Sequence, residues 1–378
     1  GNTNDEGSFS EEVYEGEYYL TLSLVGYAKV KQIVTIKASQ ENKVEIELQP
    51  FDIAVLNDWN GEVTTVLNRN GFYAEERDWN ILEDINKYKI IYLNGAYTSG
   101  GTPPNEETFK RLLSIAKEHD VDLVFVDAWG INYGSVEQLH QYLKDPKEFN
   151  THYSMSGGIV QLKVDKTHPI LEGYEIGDKL SLFSRTSDFG WINHYSGTHL
   201  ATVGNTNLGD TGTGVAYKPV SENSAHVILA NHAATPWISP LQGWSKDMTN
   251  ILYNTMDYLL EAKYGVFKGK LVDSEGNVLQ GELEVVDTNT LAKTDTETGE
   301  LELIHEEGEY LVEIRSLGYK TIKLPVTFEN GAPVLETVVM ESTEEGTISG
   351  IIVNADNNPV NGAKITLLLD EEVLVEKV

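Results

Sequence analysis

Short apolar runs alternate with helical patterns between residues 51 and 264. Three of these runs read as buried strands: F-D-I-A-V-L (51–56), K-I-I-Y-L-N (89–94) and V-D-L-V-F-V (121–126). The segments between them repeat apolar residues at helical spacing, most clearly over residues 106–119. Wholly apolar strands between amphipathic helices are typical of a parallel sheet covered on both faces. The pattern therefore predicts a central three-layer α/β domain with a mostly parallel sheet.

The two flanks follow a different pattern, in which apolar and polar residues alternate and glycines mark the turns. Residues 16–27 read G-E-Y-Y-L-T-L-S-L-V-G-Y, and residues 308–319 read G-E-Y-L-V-E-I-R-S-L-G-Y. A second match joins residues 265–281 to residues 346–362, with three glycines in register. Alternation with a period of two is typical of antiparallel strands, so the repeat predicts a small β-sandwich over residues 265–342.

These patterns divide the chain into four predicted regions. Residues 51–264 are the α/β domain, and residues 265–344 are a complete sandwich. Residues 1–50 match only the C-terminal half of a sandwich, and residues 345–378 match only the N-terminal half of another. A lone half-sandwich exposes edge strands and an apolar face, so we expect the two halves to pair, within one chain or between neighbours. The simpler alternative is a tandem array cut at both ends.

Charge and composition disfavour several classes of protein. The 378 residues include 59 acidic and 28 basic ones, a formal net charge of −31, which argues against nucleic acid and anionic membranes as partners. Cysteine is absent from the sequence, so disulfides, thiolate metal sites and a cysteine nucleophile are excluded. Apolar runs as long as a membrane span are absent too, so membrane insertion is not expected. This profile favours a secreted, extracellular protein, and the lack of cysteine favours export from a Gram-positive bacterium.

The repeat units resemble the carboxypeptidase regulatory-like, or prealbumin-like, domain. The likeness rests on the G-x-(L/I)-V start with its later glycine, on the T-x-x-x-G turn at residues 295–299, and on the G-E-Y…G-Y pattern near the end. In that family the domain is a spacer or interaction module without chemistry of its own. The resemblance implies the same role here.

The central region resembles the class I glutamine amidotransferase-like fold, particularly its ThuA-like relatives. Three segments carry the likeness: the strand–turn–helix at 121–143, T-H-P-I-L-E-G at 167–173, and S-K-D-M-T-N-I-L-Y-N-T-M-D-Y-L-L at 245–260. The resemblance implies a flavodoxin-like domain. The expected fold class is therefore multidomain, with a flavodoxin-like α/β centre flanked by all-β prealbumin-like sandwiches.

The chemistry of the amidotransferases is missing from the matching positions. The family places a cysteine in the turn after the strand and a His-x-Glu pair near the end of the domain. The turn here is D-A-W-G (127–130) and the late strand ends in N-H-A-A (231–234), so only His232 remains. A histidine with no nucleophile cannot run covalent acyl transfer. Glutaminase activity is excluded.

Polar and aromatic residues nevertheless stand where the predicted strands end. The candidate binding residues are Asp58, Trp59, Asn94, Asp127, Trp129 and His232. Ligands of open α/β sheets bind at the carboxyl ends of strands, and aromatic faces beside amides and carboxylates suit a sugar or a peptide. As an alternative, Asp58, Asp127 and His232 are the acid, base or metal ligands of a hydrolase. The competing interpretation is that both aspartates cap helices and the histidine is a hydrogen-bonded core residue.

Cofactors and dedicated metal sites are not predicted, apart from calcium bound incidentally at acidic turns. Residues 273–277 (D-S-E-G-N) and 354–358 (N-A-D-N-N) are too short for an EF-hand loop and read as hairpin turns. His194 and His199 share an aromatic loop, but their spacing is not a metal-binding motif. His168 precedes a proline and is predicted to be structural.

Together these features predict a non-catalytic accessory, scaffold and binding region of a secreted bacterial multidomain protein. The arrangement resembles the accessory regions of large secreted hydrolases, so we expect the parent to be an extracellular, subtilisin-like serine protease. Its other domains and a peptide or carbohydrate are the expected partners. Two alternatives stay open. One is a hydrolase or metal-dependent enzyme using Asp58, Asp127 and His232, and the other is a carbohydrate or cell-wall binding module that exposes Trp59 or Trp129.

Overall fold

A computed structural model describes most of the chain. The described residues are 3–4, 6–24, 27–38, 40–94, 106–126, 149–154, 157–195, 197–235, 238–288, 290–343, 349–355, 357–362, 365–369 and 372–377. Within these ranges no helix combines the length and the apolar character needed to cross a membrane.

The N-terminal segment forms a single hairpin. Strands β1 (Gly16–Leu22) and β2 (Val30–Ile36) pair antiparallel in a two-stranded sheet of their own. Leu20 and Leu22 on β1, with Val34 and Ile36 on β2, lie on one face and are only half-buried. This hairpin therefore has an apolar face that nothing in the described chain covers fully.

The central region begins with the parallel strands that the apolar runs predict. Its first elements are β3 (Ile53–Leu56), a 3-10 turn (Trp59–Gly61), α1 (Glu62–Arg69), β4 (Ala74–Arg77), two 3-10 turns (Trp79–Glu83 and Ile85–Lys87), β5 (Ile90–Leu93), α2 (Glu106–Glu118) and β6 (Asp122–Val126). The strands lie in the order β4–β3–β5–β6, all parallel. On β3, Ile53 and Val55 face the core beneath α1. The alternate residues Ala54 and Leu56 face the core beneath α2.

The second part of the central region is antiparallel. Its elements are β7 (Phe149–Ser154), β8 (Val160–Val164), a 3-10 turn (Pro169–Leu171), β9 (Lys179–Ser181), β10 (Phe189–Tyr195), β11 (Thr198–Asn205), β12 (Gly209–Pro219), β13 (Ala225–Leu229) and α3 (Lys246–Glu261). Strand β13 pairs parallel with β6 and antiparallel with β12, which joins both parts into one eleven-stranded sheet. The sheet continues as β12–β11–β8–β9, with β10 linking β7 to β12.

The predicted fold class is wrong. Among the residues that the structure describes, 41% lie in strands and 17% in helices, so strand outweighs helix. Within the described part of the central sheet, six strand pairings are antiparallel and four are parallel, so the sheet is mixed and the domain is not flavodoxin-like. Half-buried strands contain no wholly apolar run, so the pattern that marks buried parallel strands does not reveal them. The run V-Q-L-K-V in β8 buries every second residue, which is the antiparallel pattern.

Residues 264–340 form two sheets that share one core. The strands are β14 (Tyr264–Asp273), β15 (Glu282–Val285), β16 (Leu291–Lys293), β17 (Glu300–Glu306), β18 (Gly308–Arg315), β19 (Ile322–Phe328) and β20 (Val334–Met340). One sheet has the order β17–β14–β20 and the other the order β16–β15–β18–β19. Phe267 and Leu271 from the first sheet pack with Val312 and Phe328 from the second. Beyond them, β21 (Ile365–Leu369) and β22 (Glu372–Lys377) form a separate hairpin. The four domain boundaries stay predictions.

The central region and the sandwich meet without a linker. Helix α3 ends at Glu261, and β14 begins at Tyr264, whose side chain is fully buried. Asn330, between β19 and β20, donates a hydrogen bond from Nδ2 to the carbonyl of Glu222 at 2.8 Å. The amide of Tyr264 donates to the same carbonyl at 3.0 Å. Backbone and side-chain contacts therefore both cross this junction.

A carboxylate at the end of β17 connects the two regions most closely. Glu306 Oε1 accepts a hydrogen bond from His168 Nε2 at 2.8 Å and another from the hydroxyl of Tyr258 at 2.6 Å. The nearby Tyr217 side chain also favours the ionised carboxylate. Burial opposes ionisation, but these donors outweigh it and lower the pKa of Glu306 to about 2. His168 is structural, as predicted, because its Nδ1 also accepts from the amide of Ile170 at 3.1 Å.

Candidate functional site

Asp58 caps helix α1. Its neighbours Asn57 and Asn60 have positive φ angles of 56° and 54°, which turn the chain sharply out of β3. Asp58 Oδ1 accepts from the amide of Val63 at 3.0 Å, and Oδ2 accepts from the amide of Thr64 at 2.7 Å. Burial raises the pKa of this carboxyl, although the hydrogen bonds from Thr64 and Val63 oppose the shift. Both carboxylate oxygens of Asp58 are thus engaged by the helix.

Two buried asparagines connect the strand ends to their surroundings. Asn94 Nδ2 donates to the carbonyls of Asn57 at 2.8 Å and Ala234 at 3.0 Å, and its Oδ1 accepts from the amide of Ala234 at 2.8 Å. Asn231 makes two hydrogen bonds to the backbone of Gly190, at 2.8 and 2.9 Å. Both side-chain amides therefore satisfy backbone N–H and C=O groups, and both asparagines stabilise the fold.

His232 lies inside the core, with 1% of its surface exposed. Its Nε2 donates to the carbonyl of Met248 at 3.1 Å, and its ring packs edge-on against Trp244 with 5.6 Å between ring centroids. Tyr92 donates a hydrogen bond to the backbone carbonyl of His232. Burial lowers the pKa of His232 to about 4, with the Met248 bond opposing the shift. At neutral pH this imidazole is uncharged and shielded from solvent.

The shifted pKa of His232 predicts a loss of stability in mild acid. Its pKa is about 4 in the folded protein and 6.5 ordinarily, so the unfolded chain binds the proton first as the pH falls. Stabilisation is complete above about pH 6.5 and declines toward pH 4. His232→Gln keeps a donor for the Met248 carbonyl. Over this range it should reduce the slope of the free energy of unfolding against pH by the contribution of one titrating group. Urea titrations at several pH values measure the slope, and an unchanged slope would contradict the assignment.

The predicted strand-end residues meet only in part. Asn94 and the turn at residues 231–234 are joined by hydrogen bonds. The Asp58 side chain accepts hydrogen bonds from α1. The His232 side chain donates to the carbonyl of Met248 near the start of α3. Trp59 is half-buried and packs against the core beneath α1. The remaining two candidates, Asp127 and Trp129, lie outside the described residues.

A polar cluster lies on the antiparallel part of the sheet. Sequence reasoning singled out only one of its members, His199. His199 Nε2 lies 2.9 Å from Asp165 Oδ2, and its Nδ1 lies 2.9 Å from Thr213 Oγ1. Thr202 donates to the same Asp165 oxygen at 2.5 Å, and Lys163 Nζ lies 3.2 Å from the other oxygen. We call these five residues the His–Asp cluster. Its members come from β11, β12 and the end of β8, so only the strand register brings them together.

The His–Asp cluster has the order of groups found in nucleophilic triads. Burial opposes ionisation of Asp165, but the hydrogen bonds from Thr202, His199 and Lys163 outweigh it and lower its pKa. When the carboxylate accepts from Nε2–H of His199, Nδ1 is free to accept from the hydroxyl of Thr213. Carboxylate, imidazole and hydroxyl then stand in sequence. The His199 and Asp165 side chains are 25% and 24% exposed, so solvent reaches this cluster.

An open depression of about 830 Å³ lies on the outer face of the sandwich, away from the strand ends of the central region. Lys268, Lys270, Glu300 and Glu302 are among the residues that line it. Lys268 Nζ lies 3.2 Å from Glu302 Oε2, so part of the charge here is compensated internally. The depression has none of the residues predicted to bind a ligand.

Comparison with known proteins leaves the family open. No protein-family model and no curated protein matches the chain. A β-galactosidase from Halorubrum lacusprofundi is 8% identical at a TM-score of 0.36, over 71% of this chain and 41% of its own. A cohesin–X-dockerin complex from Acetivibrio cellulolyticus is 20% identical at a TM-score of 0.19, over 21% and 58% of the two chains. BcpA, the major pilin subunit of Bacillus cereus, is 11% identical at a TM-score of 0.18, over 88% of this chain and 86% of its own.

These scores are too low to carry an argument about function. The chain spans little more than half of the cohesin–X-dockerin match and less than half of the β-galactosidase. The resemblances to the amidotransferase-like and carboxypeptidase regulatory-like families therefore stay predictions. The proposal below uses none of these structural matches.

Proposed function

We propose that this chain is a non-catalytic binding and spacing region of a secreted bacterial multidomain protein. The observation that carries the proposal is the use of the strand-end polar groups to hold the fold. Asp58 caps α1, Asn94 and Asn231 bond to backbone, and His232 is buried against the start of α3. Among the described candidates, neither the acid nor the base is positioned for proton transfer to a substrate.

Composition supports the extracellular location. A net charge of −31 repels polyanions, and a chain without cysteine forms no unwanted disulfides in an oxidising environment. The resemblance to accessory regions of secreted hydrolases supports an extracellular serine protease as the parent protein. Its other domains, and a peptide or carbohydrate, are the partners that this proposal implies.

The His–Asp cluster makes the non-catalytic part of the proposal testable. The full chain is incubated with a fluorophosphonate probe, which labels activated hydroxyls, and with chromogenic ester and peptide substrates. We expect neither labelling nor turnover above the background of heat-denatured protein. Labelling that is lost in Thr213→Ala and kept in Thr211→Ala would overturn the proposal. Thr211 is the matched control because it lies on the same strand, with its hydroxyl bonded to the carbonyl of Val203 at 2.7 Å.

A further inference from the structure

The first and the last strand of the sandwich are direct neighbours. The chain enters the sandwich through β14 and leaves it through β20. These two strands pair parallel, from Phe267 opposite Val334 to Asp273 opposite Met340. The strands between them in sequence lie either on the other edge of β14 or in the second sheet. A pull on the chain from both sides of the sandwich therefore acts first on this one ladder of hydrogen bonds.

The parallel direction decides how such a pull acts. Because both strands run the same way, the start of β14 and the end of β20 lie at opposite ends of the ladder. Tension through the chain therefore pulls one strand along the other and loads all the hydrogen bonds of the ladder together. If the two strands were antiparallel, the same two points would lie at one end, and the bonds would open one after another. Forced unfolding is governed by the unfolding barrier, which is higher when many bonds must break at once.

Both ends of the ladder are fixed to folded structure. At its start, helix α3 ends at Glu261 and the side chain of Tyr264 is fully buried. Just beyond its end, the carbonyl of Glu341 accepts from the amide of Lys320 at 2.8 Å. The amide of Thr343 donates to the carbonyl of Gly318, also at 2.8 Å. Neither strand can therefore fray from the end at which the chain pulls on it without losing these contacts.

The inner face of the ladder is closed to water. Phe267 and Leu271 on β14 are 0% exposed, and Val338 and Met340 on β20 are 7% and 0% exposed. All four belong to the core that both sheets share. A close-packed core resists sliding of one strand along another, because side chains would have to leave the spaces that they fill. Packing therefore adds to the resistance of the hydrogen bonds.

The two terminal hairpins have the opposite geometry. In β1–β2 the first and last residues, Gly16 and Ile36, are direct partners. In β21–β22 the same holds for Ile365 and Lys377. The chain enters and leaves each hairpin at one end, so tension opens its pairs one at a time. The sandwich has a shear geometry that these two hairpins lack.

We infer that the sandwich (residues 264–340) is a tension-bearing spacer whose resistance to extension comes from the β14–β20 ladder. A region between other domains of a secreted protein transmits any pull between them. This inference deepens the spacing role proposed above and rests on it. It adds the load that the spacer resists and the strand pair that resists it.

The direction of the individual bonds in the ladder follows from one contact on its other side. The amide of Leu271 donates to the carbonyl of Gly299 at 3.0 Å, on the side of β14 away from β20. Successive residues of a strand direct their amides to opposite sides, so Lys268 and Lys270 bond to β20. Glu336 lies opposite Gly269, between these two lysines, and therefore bonds to both of them through its backbone.

Pulling on the full chain from two different pairs of points tests the geometry. The chain has no cysteine, so two introduced cysteines attach DNA handles for optical tweezers at chosen positions. Handles at Lys263→Cys and Glu341→Cys hold the start of β14 and the end of β20. Handles at Glu275→Cys and Glu341→Cys hold the ends of both strands, because Glu275 lies in the turn that follows β14. All three residues are exposed.

The first pair of handles loads the ladder in shear, and the second pair peels the same ladder from one end. At equal loading rates we expect the first pair to require a force at least about twofold higher. The event should release residues 264–340, at about 3.3–3.6 Å for each extended residue, which identifies the sandwich as the unit that opens. Equal forces for the two pairs, or a higher force for the second, would overturn the inference.

Prolines at neighbouring positions of β20 test the ladder itself. Glu336→Pro removes an amide that bonds to β14. Thr337→Pro removes an amide on the edge of β20 that pairs with no strand of the described chain. Both side chains are exposed, and proline is tolerated best on edge strands. With the shear handles, Glu336→Pro should lower the unfolding force about 1.5-fold or more, and Thr337→Pro should leave it unchanged.

The possible results separate this inference from the proposed function. Equal effects of the two prolines would show that the ladder is not the resisting element. If Glu336→Pro does not fold, the two pairs of handles still decide, since they leave both strands intact. Equal forces for the two pairs would leave the non-catalytic proposal standing. Labelling that depends on Thr213 would overturn that proposal and leave the forces unchanged.

Discussion

Glu306→Ala is expected to lower the free energy of unfolding by about 3 kcal/mol, because it removes a charged acceptor from two buried donors. The carboxylate accepts from His168 Nε2 at 2.8 Å and from the Tyr258 hydroxyl at 2.6 Å. The His168 and Tyr217 rings pack at a tilt with 4.6 Å between centroids, which holds His168 away from solvent. Truncation leaves both donors desolvated without an acceptor.

Urea unfolding of Glu306→Ala beside Glu302→Ala measures this effect. Glu302 lies on the same strand, but its side chain is 41% exposed and faces Lys268 and Lys117 at 3.2 and 3.8 Å. A surface ion pair of this kind contributes about 0–1 kcal/mol. Equal losses in the two variants would show that the His168–Glu306 contact adds nothing beyond an exposed pair. Glu306→Gln should recover part of the loss, because its carbonyl still accepts one hydrogen bond.

The same carboxylate predicts a pH dependence. Its pKa is lowered from 4.5 to about 2 in the folded chain, so the unfolded chain is protonated first as the pH falls. The stabilisation is fully present above about pH 4.5 and is lost between there and about pH 2. Glu306→Gln should therefore approach the parent chain in stability as the pH falls through this range. A constant difference between the two proteins would contradict the assignment.

Ile314→Ala is expected to destabilise the sandwich by about 2–5 kcal/mol, the usual cost of a cavity in a closed core. Ile314 on β18 is 0% exposed and belongs to the core that both sheets share. Because helix α3 is followed directly by β14, the central region and the sandwich should unfold together. The loss of stability should therefore appear in a single unfolding transition. Chemical denaturation followed by tryptophan fluorescence reports it, because the tryptophans all lie in the central region.

Leu22→Ala is the matched control, because Leu22 holds the same place in the N-terminal hairpin and is only half-buried. It should cost less than about 1 kcal/mol, because a half-buried side chain has less apolar surface to lose. An equal cost at both positions would contradict the difference in burial between Ile314 and Leu22.

The elements predicted best were those with local sequence patterns. The apolar runs located β3, β5 and β6, and helical spacing located α2, close to their observed bounds. Each of these patterns depends on residues near each other in sequence: the three strands are wholly buried, and α2 buries one face. The internal repeat was equally visible, since its glycines mark turns and crowded strand crossings that other residues fit poorly.

The contacts that define the site could not be predicted, because they join residues far apart in the sequence. His168 and Glu306 are 138 positions apart, and His199 meets Asp165 across 34. Neither pair has a spacing that any helix or hairpin would impose. The alternating strand β8 has no fully apolar run, so the pattern of the central region did not predict it. Asp58 resembled a catalytic group because a helix cap and an acid occupy the same position after a strand, and only its two amide donors distinguish them.

The direct passage from α3 into β14 has a consequence for the evolution of such chains. Recombination exchanges domains most easily at boundaries that few contacts cross. Here Tyr264 is buried at the boundary itself, and Glu306 draws its donors from the neighbouring region. A gene fusion that gave this sandwich a different neighbour would leave the carboxylate without them. We therefore expect the central region and its sandwich to be inherited as one unit.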